Sequence, residues 1–303
     1  MSKVKNTDIF KQKAIKDNIA GYLFLFPALT GFIIFIAIPV ILSFVLSFFD
    51  YNLIATPKFL GLGNYRRVIK DPLVIKSFLN TFKFFIILVP VHAISSVLLA
   101  YFVYKAKRFK TFYRSAIYFP SIVTTASVAI AWSYMFATDT GILNYYVKML
   151  GFSSIPWLTD STVVYITIAI FSFWKFVGTA FLYCYIGLQN IPDVYYEASR
   201  IDGANSIQTF SKITLPLLSP TLFFVVTTLV INVFQIFDEP FFLTGGGPGT
   251  DTRTVALHIY EVAFKQMKTG LGSTISLILF IIILVITIVQ FSAQKKWVVY
   301  DYE

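Results

Sequence analysis

Charge is scarce in this chain. Of its 303 residues only 13% are Asp, Glu, Lys or Arg, against about 25% in an ordinary soluble domain. There is one cysteine, Cys184, so an internal disulfide and a cysteine-based metal site are both excluded. Two histidines, His92 and His258, leave little for catalysis or metal binding. The sequence holds no nucleophile–base pair, no metal cluster and no Gly-x-x-x-x-Gly-Lys-Ser/Thr loop to cradle a nucleotide phosphate. What is abundant is apolar surface. Hydrophobic residues make up 57% of the chain, aromatics 18%, and the mean hydropathy is +0.73. Water is a poor solvent for such a chain, and lipid must cover much of it.

Six apolar stretches are long enough to cross a hydrocarbon core of about 30 Å. They run over 20–49, 81–104, 115–137, 163–187, 220–244 and 272–292. A lipid-exposed backbone must bond its own N–H and C=O groups, so the expected fold is all-α, an integral membrane protein with six transmembrane helices. The first stretch is long and contains Pro27 and Pro39, which predicts a kinked or tilted helix. A signal peptide does not fit that stretch, because its apolar region would span only about 7–15 residues. The other expected divisions are an N-terminal tail over 1–19, a six-helix membrane-spanning domain over 20–292 with a connecting loop at 188–219, and a C-terminal tail over 293–303.

The net charge of +10 has a topological explanation. With both termini on the cytoplasmic side, the inner segments carry fourteen Lys and Arg residues and the outer loops nine. The bias is sharpest in the short basic run 105–114. No basic helix or aromatic-basic platform points to nucleic acid, so no such partner is expected. In the loop 245–271, Val255, Ile259, Val262 and Ala263 recur at helical spacing, which predicts a short helix at the outer interface. The two halves show no repeat, so an inverted-repeat carrier finds no support.

Segment 188–220 is heavily punctuated. Asp193 is placed to cap a helix, Gly203 to end it, and Asn205 or Ser206 to cap a second one. Pro216 is expected to stop that second helix and Pro220 to start the fifth span. Tyr196, Ile201, Ala204, Ile207, Phe210 and Ile213 give the pair an apolar side that needs a covering surface. Two basic and three acidic residues are too few cations for a headgroup-bound loop, so a docked protein fits better.

Glu197-Ala198-Ser199, then Gly203, then Ile213-x-Leu215-Pro216 resembles the EAA loop of ABC importer permeases. Every spacing agrees, and Ser199 for alanine is the one departure. Asp202-Gly203-Ala204 and Phe210 make the loop similar to the carbohydrate branch, which includes maltose, multiple-sugar and glycerol-3-phosphate permeases. Phe26-Pro27-Ala28, Pro39, Gly61-Leu62-Gly63-Asn64-Tyr65, Phe119-Pro120, Trp174-Lys175, Gly187-Leu188-Gln189 and Leu243-Thr244-Gly245-Gly246-Gly247-Pro248 extend the resemblance over most of 20–300.

The resemblance implies a type I importer-like permease, with N-in and C-in topology, in a bacterial-type cytoplasmic membrane. Glu197, Ala198, Ser199, Asp202, Gly203, Ala204, Phe210, Ile213, Leu215 and Pro216 would form the coupling loop. Its partners would be two copies of an ATPase subunit, a second, non-identical permease chain and an extracytoplasmic solute-binding protein. ATP and magnesium would sit on the ATPase, and this chain would bind no cofactor and perform no chemistry. Gly245, Gly246, Gly247 and Pro248 would meet the binding protein.

Polar residues inside spans are costly unless paired or wet, so Trp174, Lys175, Asn232, Gln235 and Asp238 are candidates for a substrate cavity. Asn232 and Gln235 are one turn apart, and amides beside aromatic rings suit a sugar. The same amides also suit interhelical bonding, and both readings stand here. Lys175 fits helix stabilisation as well as ligand contact. His92 is expected to be buried and hydrogen-bonded, and Cys184 to be a small core residue. A carrier driven by an ion gradient would need a proton relay, and His92, Asp238 and Glu239 are few and at different depths. An ABC permease for another solute would keep the same fold.

Overall fold

The computed structural model describes residues 21–299. The tail 1–19 and the last residues of the tail 293–303 lie outside the described residues. The helices are α1 (Gly21–Leu46), α2 (Gly63–Lys70), α3 (Pro72–Lys105), α4 (Lys110–Ile122), α5 (Thr125–Met135), α6 (Ile142–Met149), α7 (Val163–Gln189), α8 (Asp193–Ile201), α9 (Ser206–Phe234), α10 (Val255–Tyr260) and α11 (Thr269–Gln294). A two-stranded antiparallel ribbon pairs Phe49 with Phe59 and Asp50 with Lys58. Among the described residues, α1, α3, α7, α9 and α11 are each long and apolar enough to span, which makes up to six spans when the bent pair α4 and α5 is counted as one.

Prolines explain most departures from simple spans. A proline has no N–H, and its ring crowds the carbonyl four residues earlier. Pro39 lies four residues after Phe35, at the centre of the π-helical turn Ile33–Ala37. Pro216 lies four after Lys212, at the centre of the π-helical turn Phe210–Thr214. In both places the wider turn absorbs the lost bond and the helix continues. Pro216 therefore does not stop a helix, contrary to expectation. α9 runs unbroken from the Asn205 cap through Pro216 and Pro220. Pro240 has the stronger effect. It lies four residues after Ile236, and α9 ends at Phe234 rather than running on to 244. The chain is non-helical at 236–237 and resumes through the turn Pro240–Thr244. The bare Ile236 carbonyl accepts from Thr254 Oγ1 at 2.7 Å.

The third span is not one helix. α4 and α5 meet at 94°, because Val123 and Thr124 are extended. α4 lies close against α7, and Gly178 allows that approach. A Cβ there would come within 2.7 Å of the Ile117 carbonyl and 2.9 Å of Tyr118 Cα.

The core lies where α3, α7 and α9 pack together, around Phe84, Leu88, Ile168, Phe171, Phe181 and Val230. Cys184 is buried there beside Ser96. α1 approaches α11 through its half Ile38–Leu46 but has no buried side chain over its apolar window. α10 and the π-helical turn after it pack inward, burying Val255, Val262 and Ala263. That helix therefore packs on the protein rather than lying on its surface.

Candidate functional site

Three polar features interrupt the apolar bundle. The first is the turn between α7 and α9. Pro192, not Asp193, occupies the cap position of α8, and Asp193 falls in its first turn. The helix ends in a Schellman motif: Ala204 N–H bonds the Ser199 carbonyl (2.9 Å) and Gly203 N–H the Arg200 carbonyl (3.2 Å). Gly203 has φ +74° with no atom near an added Cβ, so backbone conformation alone selects glycine. Asn205 and Gln208 then exchange bonds of 2.9 and 2.8 Å, a capping box that starts α9.

The underside of this turn is anchored. Tyr196 is buried, and its hydroxyl lies 3.4 Å from Thr214 Oγ1. Phe210 packs on Tyr101 of α3 at 4.7 Å between ring centroids, and Lys105 sits over Tyr101 and Tyr196. Ser199 is buried, its hydroxyl donating to the Tyr196 carbonyl (2.9 Å). Ile213, Leu215, Pro216 and Ala204 are half-buried. The opposite side is open: Glu197, Ala198 and Asp202 are exposed, and Ile201 and Ile207 are 86% and 79% exposed. Two isoleucines thus stand uncovered on a braced knob.

The second feature is a cavity of about 490 Å³ between α3, α7 and α9. Asn232, Gln235 and Asp238 all line it, although they do not share one continuous helix face. The break after Phe234 turns Gln235 through Glu239 into the wall. His92, Ser172, Thr179, Tyr183, Thr228 and Glu239 complete the polar lining. Glu239 is 5% exposed and accepts from Ser172 Oγ at 3.3 Å. His92 is buried as expected, but its Nε2 has no hydrogen-bond partner.

Trp174 and Lys175 do not line the cavity. Trp174 lies against Trp132 of α5, with ring centroids 5.2 Å apart. Lys175 is 2% exposed, and its ammonium donates to the carbonyls of Pro120 (2.8 Å) and Ser121 (3.1 Å) at the end of α4. It serves the bend in the third span, a role open to a cation at a helix C-terminus. Sequence alone missed the wall residues Ser172, Glu239 and His92. The signal available was the Asp-Glu-Pro string at 238–240, where proline predicts a break and a break turns neighbouring side chains inward.

The third feature is the glycine-rich loop at the end of the bundle away from the knob. Gly245 and Gly246 have φ of +60° and +89°. Thr252 is fully buried and donates to the Gly247 carbonyl (2.7 Å). Asn80 of α3 donates to the carbonyls of Thr250 (2.8 Å) and Arg253 (3.1 Å), and Lys76 pairs with Asp251 (2.7 Å). That pairing holds the Asp251 carboxyl below its ordinary range. Gly246 is buried, Gly247 and Pro248 are half-buried, and Gly245 is exposed.

A bundle of spanning helices around a polar-walled cavity, with a braced knob at one end, defines a membrane transport component. The model for binding-protein-dependent transport system inner membrane components matches residues 74–297. The chain is 34% identical over 291 residues to the probable ABC transporter permease protein YesP of Bacillus subtilis (strain 168), covering 94% of each chain. It is 33% identical over 276 residues to the trehalose/maltose transport system permease protein MalF of Thermococcus litoralis, covering 91% of this chain and 93% of that one. It is 31% identical to the lactose transport system permease protein LacF of Rhizobium radiobacter, over 92% and 95%. A bacterial alginate ABC transporter chain superposes with a TM-score of 0.84 at 18% identity, over 94% of this chain and 96% of that one.

The chain belongs to the family of binding-protein-dependent transport system inner membrane components. It is an ABC transporter permease, a non-catalytic multi-pass component of a bacterial inner membrane.

Proposed function

We propose that this chain is one of two non-identical permease halves of a sugar importer, with both termini in the cytoplasm. The α8 knob docks in an ATPase subunit, and an extracytoplasmic binding protein delivers sugar near Gly245–Pro248. The observation that carries the coupling role is the pairing of exposed Ile201 and Ile207 with the anchored Tyr196 and Thr214 beneath them. A partner covering the isoleucines would pull on α3 and α9 through a rigid link. ATP and magnesium belong to that partner.

The basic run 105–114 supports the orientation, because it adjoins the same knob: Lys105 sits over Tyr196 and Lys110 over Tyr104. The sugar class is supported by relatives named for lactose and trehalose/maltose transport. Amides at Asn232 and Gln235 beside Phe176, Tyr183 and Phe237 suit a ring with hydroxyl edges and apolar faces. Alternating access would close this cavity to one side as the knobs move.

The test is a mild-detergent purification of the chain with its native partners, beside Gly203→Val, followed by sugar-stimulated ATP hydrolysis in proteoliposomes. An ATPase and a second permease copurify with the wild type, and the ATPase is lost or weakened with Gly203→Val. A wild-type chain that copurifies with no ATPase overturns the coupling role. Hydrolysis stimulated only by non-sugar solutes overturns the sugar assignment.

A further inference from the structure

The cavity wall carries charge of one sign. Asp238 and Glu239 are its only formally charged residues, and no lysine or arginine lines it. The nearest buried cation, Lys175, does not line the cavity: its ammonium is bonded to the Pro120 and Ser121 carbonyls at the bend after α4, and its charge also acts on both carboxyl groups from behind the wall. The neutral polar groups of the wall include Asn232, Gln235, Ser172 and His92. His92 is 2% exposed and borders the cavity, and its buried Nε2 has no hydrogen-bond partner among the described residues.

We infer that this chain's half of the translocation cavity selects neutral or positively charged glycosides and rejects sugar acids and sugar phosphates, with Asp238 and Glu239 setting that preference. The word glycoside rests on the sugar-import reading; the charge preference does not. A carboxylate or phosphate placed here would face two carboxyl groups on the wall against a single cation, Lys175, behind it, in a space where charges are poorly screened. A hydroxyl or ammonium meets acceptors throughout. The assignment is opposite in charge to the acidic polysaccharide named for a structural neighbour of the same fold.

The test uses the full transporter in membranes with Cys184→Ala, and single cysteines at Asn232 or Thr179 as two independent reporters. Each is reacted with the trimethylammonium-ethyl and the sulfonatoethyl methanethiosulfonates, and rates are normalised to free cysteine. The cationic reagent is expected to react roughly tenfold faster, as in other single-sign clefts. Asp238→Asn and Glu239→Gln should each lower that ratio several-fold. A normalised ratio near one, or one that neither substitution lowers, overturns the inference.

A second arm measures ATP hydrolysis with maltotriose, deacetylated chitotriose and trigalacturonate. Stimulation by trigalacturonate equal to that by maltotriose also overturns the inference. If no sugar stimulates while the thiol ratio holds, the sugar reading fails and the charge preference stands.

Discussion

The ammonium of Lys175, in the middle of α7, donates at 2.8 Å to the carbonyl of Pro120, near the end of α4. A buried cation at this depth is costly unless paired, and here it is paired with backbone. The carbonyls it meets belong to a helix end that the 94° bend has left without a following turn. Lys175→Met should therefore destabilise the purified transporter by about 1–3 kcal/mol per carbonyl left bare. Lys175→Gln, which keeps a donor, should lose less. Thermal unfolding in detergent distinguishes the two, and equal melting temperatures for all three proteins would remove the capping role.

Thr254 plays a similar part for the second break. Its hydroxyl donates to the Ile236 carbonyl (2.7 Å), the group that Pro240 leaves without a helical partner. Thr254→Val keeps the shape and removes the donor, which should cost about 1–3 kcal/mol. Because Ile236 lines the cavity, transport should fall more than ATPase binding does. Unchanged melting and transport would show that the bond is dispensable.

The knob yields a prediction that separates binding from stability. Ile201 and Ile207 are exposed, so Ile201→Asp with Ile207→Asp should leave the melting temperature of the isolated permease unchanged within error. Copurification of the ATPase should fall at least about tenfold, as expected where exposed apolar anchors are the contact. Full retention of the ATPase would place the contact elsewhere.

Gly203 separates backbone cost from steric cost. Nothing crowds an added Cβ, so Gly203→Asn, which tolerates the left-handed region, should retain most coupling. Gly203→Val should lose about 1–2 kcal/mol and most sugar-stimulated hydrolysis. Asparagine and valine variants with equal activity would exclude the conformational argument.

His258 is buried against Arg253, with Asp71 and Glu261 nearby, and burial followed by the Arg253 charge holds its pKa below the ordinary 6.5. The fold favours the neutral ring, so its contribution is fully present above pH 6.5. It is lost progressively as pH falls from 6.5 towards the lower folded value. Melting temperature should decline over that acidic range, and His258→Gln should flatten the decline. Identical pH profiles would assign the acid sensitivity to other groups.

Periodicity and hydropathy located the apolar stretches, because lipid demands length and apolarity before anything else. Part of the knob was legible, since caps are local chemistry: Gly203 ends its helix and Asn205 starts the next, but Pro192 and not Asp193 takes the first cap position. Pro216 misled for a physical reason. A proline stops a helix only when the chain cannot absorb the lost bond, and the π-helical turn Phe210–Thr214 absorbs it. Lys175 was visible as a buried cation, but its partners were not, because Pro120 lies 55 positions away in sequence. Asn232, Gln235 and Asp238 were rightly grouped, though a broken helix and not a shared face brings them to one cavity.

By itself, the sequence determined what short-range physics controls: helices where apolar runs meet lipid, caps and turns in segment 188–220, and too little charge and cysteine for chemistry or cross-links. Only the tertiary structure decided which carbonyls needed an outside donor and which side chains supplied one. It left Asp238 and Glu239 facing an open space while Lys175 was engaged elsewhere. Those outcomes depend on how α3, α4, α7 and α9 approach one another, and contacts between distant segments leave no periodic trace along the chain.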